Sequence, residues 1–235
     1  MMVNVSLKKL FNKSGVPAQP SVKSGINGWV QISGLVGLGW CGIVYPAVAH
    51  HATGGRTPTS FWEGFLSGLA HPVIGLDHLA FVVAIGLLSA RQVRGTWLPL
   101  FFVVAAMLGT GLHVMEVNLP LTEMAIAVSV IALGVLLALG QQLSFPLLAG
   151  LAALAGLFHG YAYGEAIVGA EMVPLVAYLT GFTVIQYAIA FLAFWLGRQG
   201  FQQSPGRAAD FFRYFGYGVS VIGVIFLGTS LQGMG

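Results

Sequence analysis

The chain has 235 residues, of which 57% are hydrophobic and only 7% charged, against about 25% charged in a soluble globular protein. That composition excludes a soluble domain and points to a membrane-embedded helical bundle. A single cysteine excludes a disulfide framework and a thiolate metal cluster, since both need at least a pair.

A bilayer core takes about 20 apolar residues per spanning helix, and seven runs approach or exceed that length. They extend from Ile26 to Ala49, Phe61 to Ala90, Trp97 to Met115, Leu119 to Leu139, Phe145 to Val168, Met172 to Gly197, and Phe211 to Leu231. The longest polar connection, Arg198 to Asp210, is about a dozen residues, too short for a soluble domain between helices. The expected fold is all-α, a polytopic transmembrane helical bundle. It has six helices after signal removal and seven if the first segment is retained. The expected organisation is a basic leader with signal peptide or first helix over residues 1–49, followed by one six-helix membrane domain over 50–235.

The first segment follows a polar leader carrying Lys8, Lys9, Lys13 and Lys23, and ends in Ala47-Val48-Ala49 before His50. Small residues at alternate positions suit signal peptidase, so cleavage after Ala49 is the expectation. Its apolar stretch exceeds the usual 7 to 15 residues or so of an export signal, which keeps a retained first helix as the alternative. Cys41 follows Trp40, unlike a lipoprotein cleavage site, and reads as a buried apolar cysteine.

Basic residues stay on the cytoplasmic side. With the leader lysines inside, Arg91 and Arg94 fall in one cytoplasmic loop and Arg198, Arg207 and Arg213 in another, while Arg56 faces outward. The acids Glu63, Glu116, Glu123, Glu165 and Glu171 lie at or near the external helix ends. This predicts a bacterial cytoplasmic (inner) membrane protein with the leader inside and the mature N-terminus outside. The formal charge of +3 then belongs to the leader: from His50 onward the count is 6 Lys+Arg against 7 Asp+Glu, or −1. Basicity is an insertion signal, the partner is the lipid bilayer, and no nucleic acid partner is implied. Homo-oligomerisation is left open. Gly64/Gly68 and Gly156/Gly160/Gly164 recur at the four-residue spacing that lets helix backbones approach closely, and tight packing accounts for them.

Ionisable side chains inside hydrocarbon cost on the order of 2.5 to 3.5 kcal/mol each, so those that occur usually line a site or pathway. The second apolar segment carries His71-Pro72-Val73-Ile74-Gly75-Leu76-Asp77-His78. On an ideal helix seven steps make nearly two turns, which puts His71 and His78 on one face. Asp77 lies off that line. It joins the imidazoles if Pro72 and Gly75 bend the turn, or otherwise acts as an acceptor that fixes a histidine tautomer. His113 and Glu116 follow at the external end of the third segment, and His113 taken singly suits an interhelical hydrogen bond as well as a ligand. The fifth segment ends in Phe158-His159-Gly160-Tyr161-Ala162-Tyr163-Gly164-Glu165, with His159 and Tyr163 one turn apart. All of these fall in the outer half of the membrane.

Imidazole and carboxylate without thiolate suit borderline divalent ions such as Ni²⁺, Co²⁺ or Zn²⁺. The candidate metal ligands are therefore His71, Asp77, His78 and His159, with Glu165 and His113 as further members. If the leader is removed, the new α-amine and the His50 imidazole, with His51 beside them, form an external capture point. The same donors can hold Zn²⁺ with an open position for an activated water, so an intramembrane zinc-dependent hydrolase is the rival to transport. No nucleotide-binding motif is present, so the chain carries no ATPase of its own.

His71-x5-Asp77-His78, set in Leu-Ala-His-Pro-Val-Ile-Gly-Leu-Asp-His-Leu, resembles the hallmark of the HupE/UreJ nickel and cobalt permeases. Phe158-His159-Gly160-Tyr161-Ala162 is similar to their second motif, and Ser60-Phe61-Trp62-Glu63-Gly64-Phe65 to the start of their mature chains. The resemblance covers essentially the whole chain from about His50. It implies a six-helix secondary permease that moves Ni²⁺ or Co²⁺ inward, with no catalytic cofactor and with Zn²⁺ or Cu²⁺ able to occupy the same site. The second motif departs from the family pattern in two places. Tyr163 stands where a histidine is usual, and Ala166 where a glutamate is usual, Glu165 lying one residue earlier and so about 100° away in helix phase.

Overall fold

The structure, a computed structural model, describes residues 56–233. The basic leader, the first apolar segment with Cys41, the expected cleavage after Ala49, and His50 and His51 lie outside the described residues. From Phe61 the chain forms α1 (Phe61–Ile74), α2 (Leu76–Ser89), α3 (Trp97–Val114), α4 (Thr122–Leu139), α5 (Phe145–Gly164), a 3₁₀ turn (Glu165–Ile167), α6 (Met172–Gln203) and α7 (Pro205–Gln232). There are no strands among the described residues. Among the described residues the helices α3 to α7 are each long and apolar enough to cross a membrane, and α1 with α2, bent at their junction, bring the number to six where the pair forms one span. The protein is an all-α polytopic bundle.

The second apolar segment, expected as one helix, is two. Its axis turns by 80° between α1 and α2, with Gly75 as both the C-cap of the first and the N-cap of the second. Pro72, in the last turn of α1, has no N–H to continue the ladder. Gly75 then adopts an extended conformation (φ −71°, ψ 107°), its N–H donating to His71 O at 3.2 Å and its carbonyl accepting from Leu79 N at 2.8 Å. The single helical face expected to carry both His71 and His78 therefore does not exist; the two histidines sit on separate helices.

At its other end α1 starts with a cap written in the sequence. Ser60 Oγ accepts from Glu63 N at 3.2 Å, and Glu63 Oε2 reaches back to Thr59 N (2.9 Å) and Thr59 Oγ1 (3.0 Å), a variant of the capping box. The connection expected over Arg198 to Asp210 is also different from expectation. Helix α6 continues to Gln203 and α7 begins at Pro205, with non-helical Ser204 (φ −152°, ψ 79°) as the joint. Polar helical turns need no bilayer once they extend past it, and proline is tolerated in a first turn.

The closest helix pairs are α3 with α5, α4 with α7, and α1 with α6. Small residues set each of them. A methyl group on Gly64 would collide with the Pro174 carbonyl, and one on Gly68 with the Tyr178 carbonyl, so α1 lies directly on α6. Gly156 and Gly160 meet the Phe102 and Ala106 carbonyls of α3 in the same way. Packing, as expected, is what these glycines do. The main apolar core, which includes Phe81, Ile85, Phe102, Val130, Leu137 and Phe212, draws on α2 to α7.

The two ends of the bundle differ in charge. Arg91 lies over the adjoining Phe201 and Phe212 rings, its guanidinium carbon 5.1 Å from each centroid. It ties the α2–α3 loop to the α6–α7 joint, and burial pulls its pKa below the ordinary arginine value. Gln92 Nε2 donates to Leu143 O at 3.2 Å, bringing the α4–α5 loop to the same end. At the opposite end Thr57 Oγ1 donates to Val168 O (3.3 Å), Leu119 N to Tyr161 Oη (3.3 Å), and Ser230 Oγ to Glu123 Oε2 (3.4 Å). Arg91, Arg94, Arg198, Arg207 and Arg213 thus gather at one end, and Glu63, Glu116, Glu123, Glu165 and Glu171, with Arg56, at the other.

Candidate metal centre

The break at Gly75 turns the first residues of α2 toward α5. His78, the third residue of α2, and His159 of α5 approach until their Nδ1 atoms are 3.0 Å apart. Asp77 Oδ2 lies 4.0 Å from His78 Nδ1. His71, near the end of α1, has its ring 6.2 Å from that of His78. All four side chains are buried, His159 completely. Five residues separate His159 from the end of α5, which places it about 7 Å along the axis from the acidic end.

Hydrogen-bond bookkeeping orients the pair. Ser129 Oγ lies 2.7 Å from Ile126 O and 3.1 Å from His159 Nε2. A serine hydroxyl has one proton, and the shorter contact to a carbonyl takes it. His159 Nε2–H then donates to Ser129 Oγ, and a neutral His159 presents its Nδ1 lone pair to His78. The described geometry is accordingly a preset acceptor at His159 facing a donor at His78. Replacing that shared proton by a divalent cation uses the lone pairs of both rings.

Tyr163 fills the space between the histidines. Its ring centroid is 5.1 Å from that of His71 and 4.7 Å from that of His78. Its hydroxyl donates to Gln186 Oε1 at 3.2 Å, while Tyr178 Oη donates to the Tyr163 carbonyl at 2.8 Å. Gln186 Nε2 in turn donates to Phe182 O at 3.2 Å. Tyr163, Tyr178 and Gln186 are all fully buried. Phe81 and Phe102 close the apolar side of His159, with ring centroids 4.4 and 5.6 Å away.

The remaining candidates are placed elsewhere. His113 of α3 lies over Tyr161 at 4.4 Å between ring centroids and packs against Gly164, outside the histidine pair. Glu165 is exposed on the 3₁₀ turn, whereas Ala166 is buried. The one-residue offset from the family pattern thus turns the carboxylate out of the interior. Among the described residues no three His, Cys, Asp or Glu side chains stand close enough together to hold one metal ion. His78, His159 and Asp77 lie together without forming a complete set of metal donors.

Sequence reasoning passed over Ser129 and Gln186. Each is an uncharged polar residue in a long apolar run, and such side chains in membrane helices tend to face the bundle interior and bond across it. That signal was present at both positions.

Residues 38–226 match the family model described as HupE / UreJ protein. The match begins upstream of His50, where the motif resemblance starts. Protein HupE of Rhizobium leguminosarum bv. viciae is 32% identical over 152 residues, which is 63% of this chain and 76% of that protein. No solved structure matches the chain. The family match takes in every helix that carries the His71, Asp77, His78 and His159 motifs, and the chain belongs to the HupE/UreJ family of membrane proteins.

Proposed function

We propose that the protein is a secondary transporter that moves a divalent transition-metal ion, Ni²⁺ or Co²⁺, inward across the cytoplasmic membrane. The observation that carries this reading is the pairing of His78 Nδ1 with His159 Nδ1 at 3.0 Å, with Asp77 beside it. Two neutral imidazoles and a carboxylate buried in a membrane bundle are suited to borderline divalent ions, and such residues otherwise make insertion more difficult. With the arginine-rich end in the cytoplasm, the ion enters from the acidic end, where five glutamates raise the local cation concentration.

The ion is cargo. At His159 the hydrogen bond from Nε2 to Ser129 keeps the Nδ1 lone pair directed at the incoming cation. Asp77 offsets part of its charge, and His71 lies one ring contact away across Tyr163. Inward movement follows the membrane potential, worth about 4.6 kcal/mol per 100 mV for a divalent ion crossing the full membrane. Imidazole binds metal only when neutral, so protonation assists release.

The test is uptake of Ni²⁺ and Co²⁺ into proteoliposomes with an imposed negative-inside potential. Wild type should accumulate metal, and His71→Ala, Asp77→Asn and His159→Ala should fall to the level of protein-free vesicles. No uptake above those variants, together with stoichiometric zinc retained after purification, would reject transport in favour of a zinc hydrolase.

A further inference from the structure

A groove of about 420 Å³ opens at the arginine-rich end, and none of the histidines lines it. It is lined by α2, α6 and α7, with Val83, Leu87, Ile189 and Leu196 along its length and Arg207 beside Phe211 at its polar end. Its volume falls in the range of about 300 to 1,000 Å³ typical of ligand pockets. Apolar walls run into a single cationic end, and that polarity gradient is the profile of a lipid.

Depth agrees with that profile. Helix α6 has 32 residues, so at 1.5 Å per residue it is about 48 Å long against a hydrocarbon core of about 30 Å. Its first turns pack against α1 at the acidic end, and Trp195, half exposed, stands where an interfacial tryptophan is expected. The last turns of α6, the joint at Ser204 and Arg207 in the first turn of α7 therefore reach headgroup level, while Ile189 and Val83 remain in the acyl region. Arg198, Arg207 and Arg213 outnumber Asp210 at this end, and Arg207 is exposed.

We propose that this groove is a binding site for one anionic phospholipid, its acyl chain lying between α2, α6 and α7 and its phosphate paired with Arg207. The proposal is independent of the metal cargo. Arginine suits the task because its planar donor fork matches a phosphate. A lipid seated here contacts the α6–α7 joint and α2, the helix that carries Asp77 and His78.

Native mass spectrometry of the full chain, released from detergent with phosphatidylglycerol or phosphatidylcholine, tests the site. One phosphatidylglycerol should be retained in preference to phosphatidylcholine. Arg207→Gln should weaken that retention by about fivefold, Arg207→Lys less, and Leu196→Trp should displace lipid by filling the groove. Arg94→Gln, an exposed arginine outside the groove, should change nothing. Equal retention of the two lipids, or an Arg94→Gln loss as large as that of Arg207→Gln, would overturn the proposal. So would a lipid-free dimer that Leu196→Trp dissociates, because a second copy would then occupy the groove.

Discussion

His78 and His159, 81 residues apart in the chain, face each other through Nδ1 atoms 3.0 Å apart. Neither ring can serve this arrangement without the other. Two groups acting as one unit give non-additive losses, so His78→Ala, His159→Ala and the double variant should be equally defective. Initial rates of radioactive Ni²⁺ uptake measure this. A double variant far worse than either single one would mean that the two rings act separately.

On the transport reading proposed above, Ser129 positions His159 as a ligand. Its hydroxyl holds Nε2 of His159 at 3.1 Å, which selects the tautomer with Nδ1 bare. Removing a partner of this kind from a ligand histidine typically lowers metal affinity about 10- to 100-fold. Ser129→Ala should therefore raise the Ni²⁺ concentration needed for half-maximal uptake by about that factor, and Ser129→Thr should restore it. A purely structural role would show instead as a lowered melting temperature with unchanged concentration dependence.

Gly75 has φ −71°, which any residue adopts, so its identity matters for space. A methyl group there would lie 2.6 Å from His78 Cδ2 and 3.4 Å from Asp77 Oδ1. Gly75→Ala should push the His78 ring off His159 and reduce uptake by about tenfold or more, since misplacement by about 1 Å can cost a factor of 10². Thermal stability, read by differential scanning fluorimetry, should change little. Unchanged uptake would show that the ring has room to move without loss.

Gly160 and Gly150 lie on the same helix and make opposite predictions. A methyl group on Gly160 would collide with the Ala106 backbone, whereas Gly150 has nothing within 4 Å. Gly160→Ala should force α3 from α5 and lower stability by about 1 to 3 kcal/mol. Gly150→Ala should raise it by about 0.5 to 1 kcal/mol through helix propensity. Unfolding in denaturant from mixed micelles compares the two.

Much of this architecture was legible because the bilayer imposes a length on every helix. The runs at Trp97, Leu119 and Phe145 appear as helices close to their expected bounds, since apolar length and polar borders are local properties. The break at Gly75 was not legible in the same way. Thirty predominantly apolar residues from Phe61 to Ala90 suffice for a continuous span, and Pro72 and Gly75 occur in straight membrane helices as well as broken ones. At the α6–α7 joint the error was the reverse, because polar composition marks where the bilayer ends and not where the helix does.

Depth put His78 and His159 within reach of each other, since His78 lies near the middle of the Phe61 to Ala90 run and His159 in the outer half of the Phe145 to Val168 run. Rotation about the helix axis is a different matter. His113 shares that depth, yet α3 presents it to Tyr161 and Gly164, and no periodicity within α3 reveals which face meets α5. Ser129 and Gln186 join the site because their helices are turned inward at those residues, which only the assembled bundle decides.

The break at Gly75 brings two helix ends together inside the hydrocarbon. The last carbonyls of α1 form a negative pole and the first N–H groups of α2 a positive one, each equivalent to about half an elementary charge. Asp77 occupies the first turn of α2, and no side chain caps that end. The positive pole opposes a cation resting against it, while the α1 carbonyls draw a cation toward His71. An ion between these poles is attracted from one side and repelled from the other. On the transport reading proposed above, that balance keeps the ion's affinity low and favours its release on every cycle.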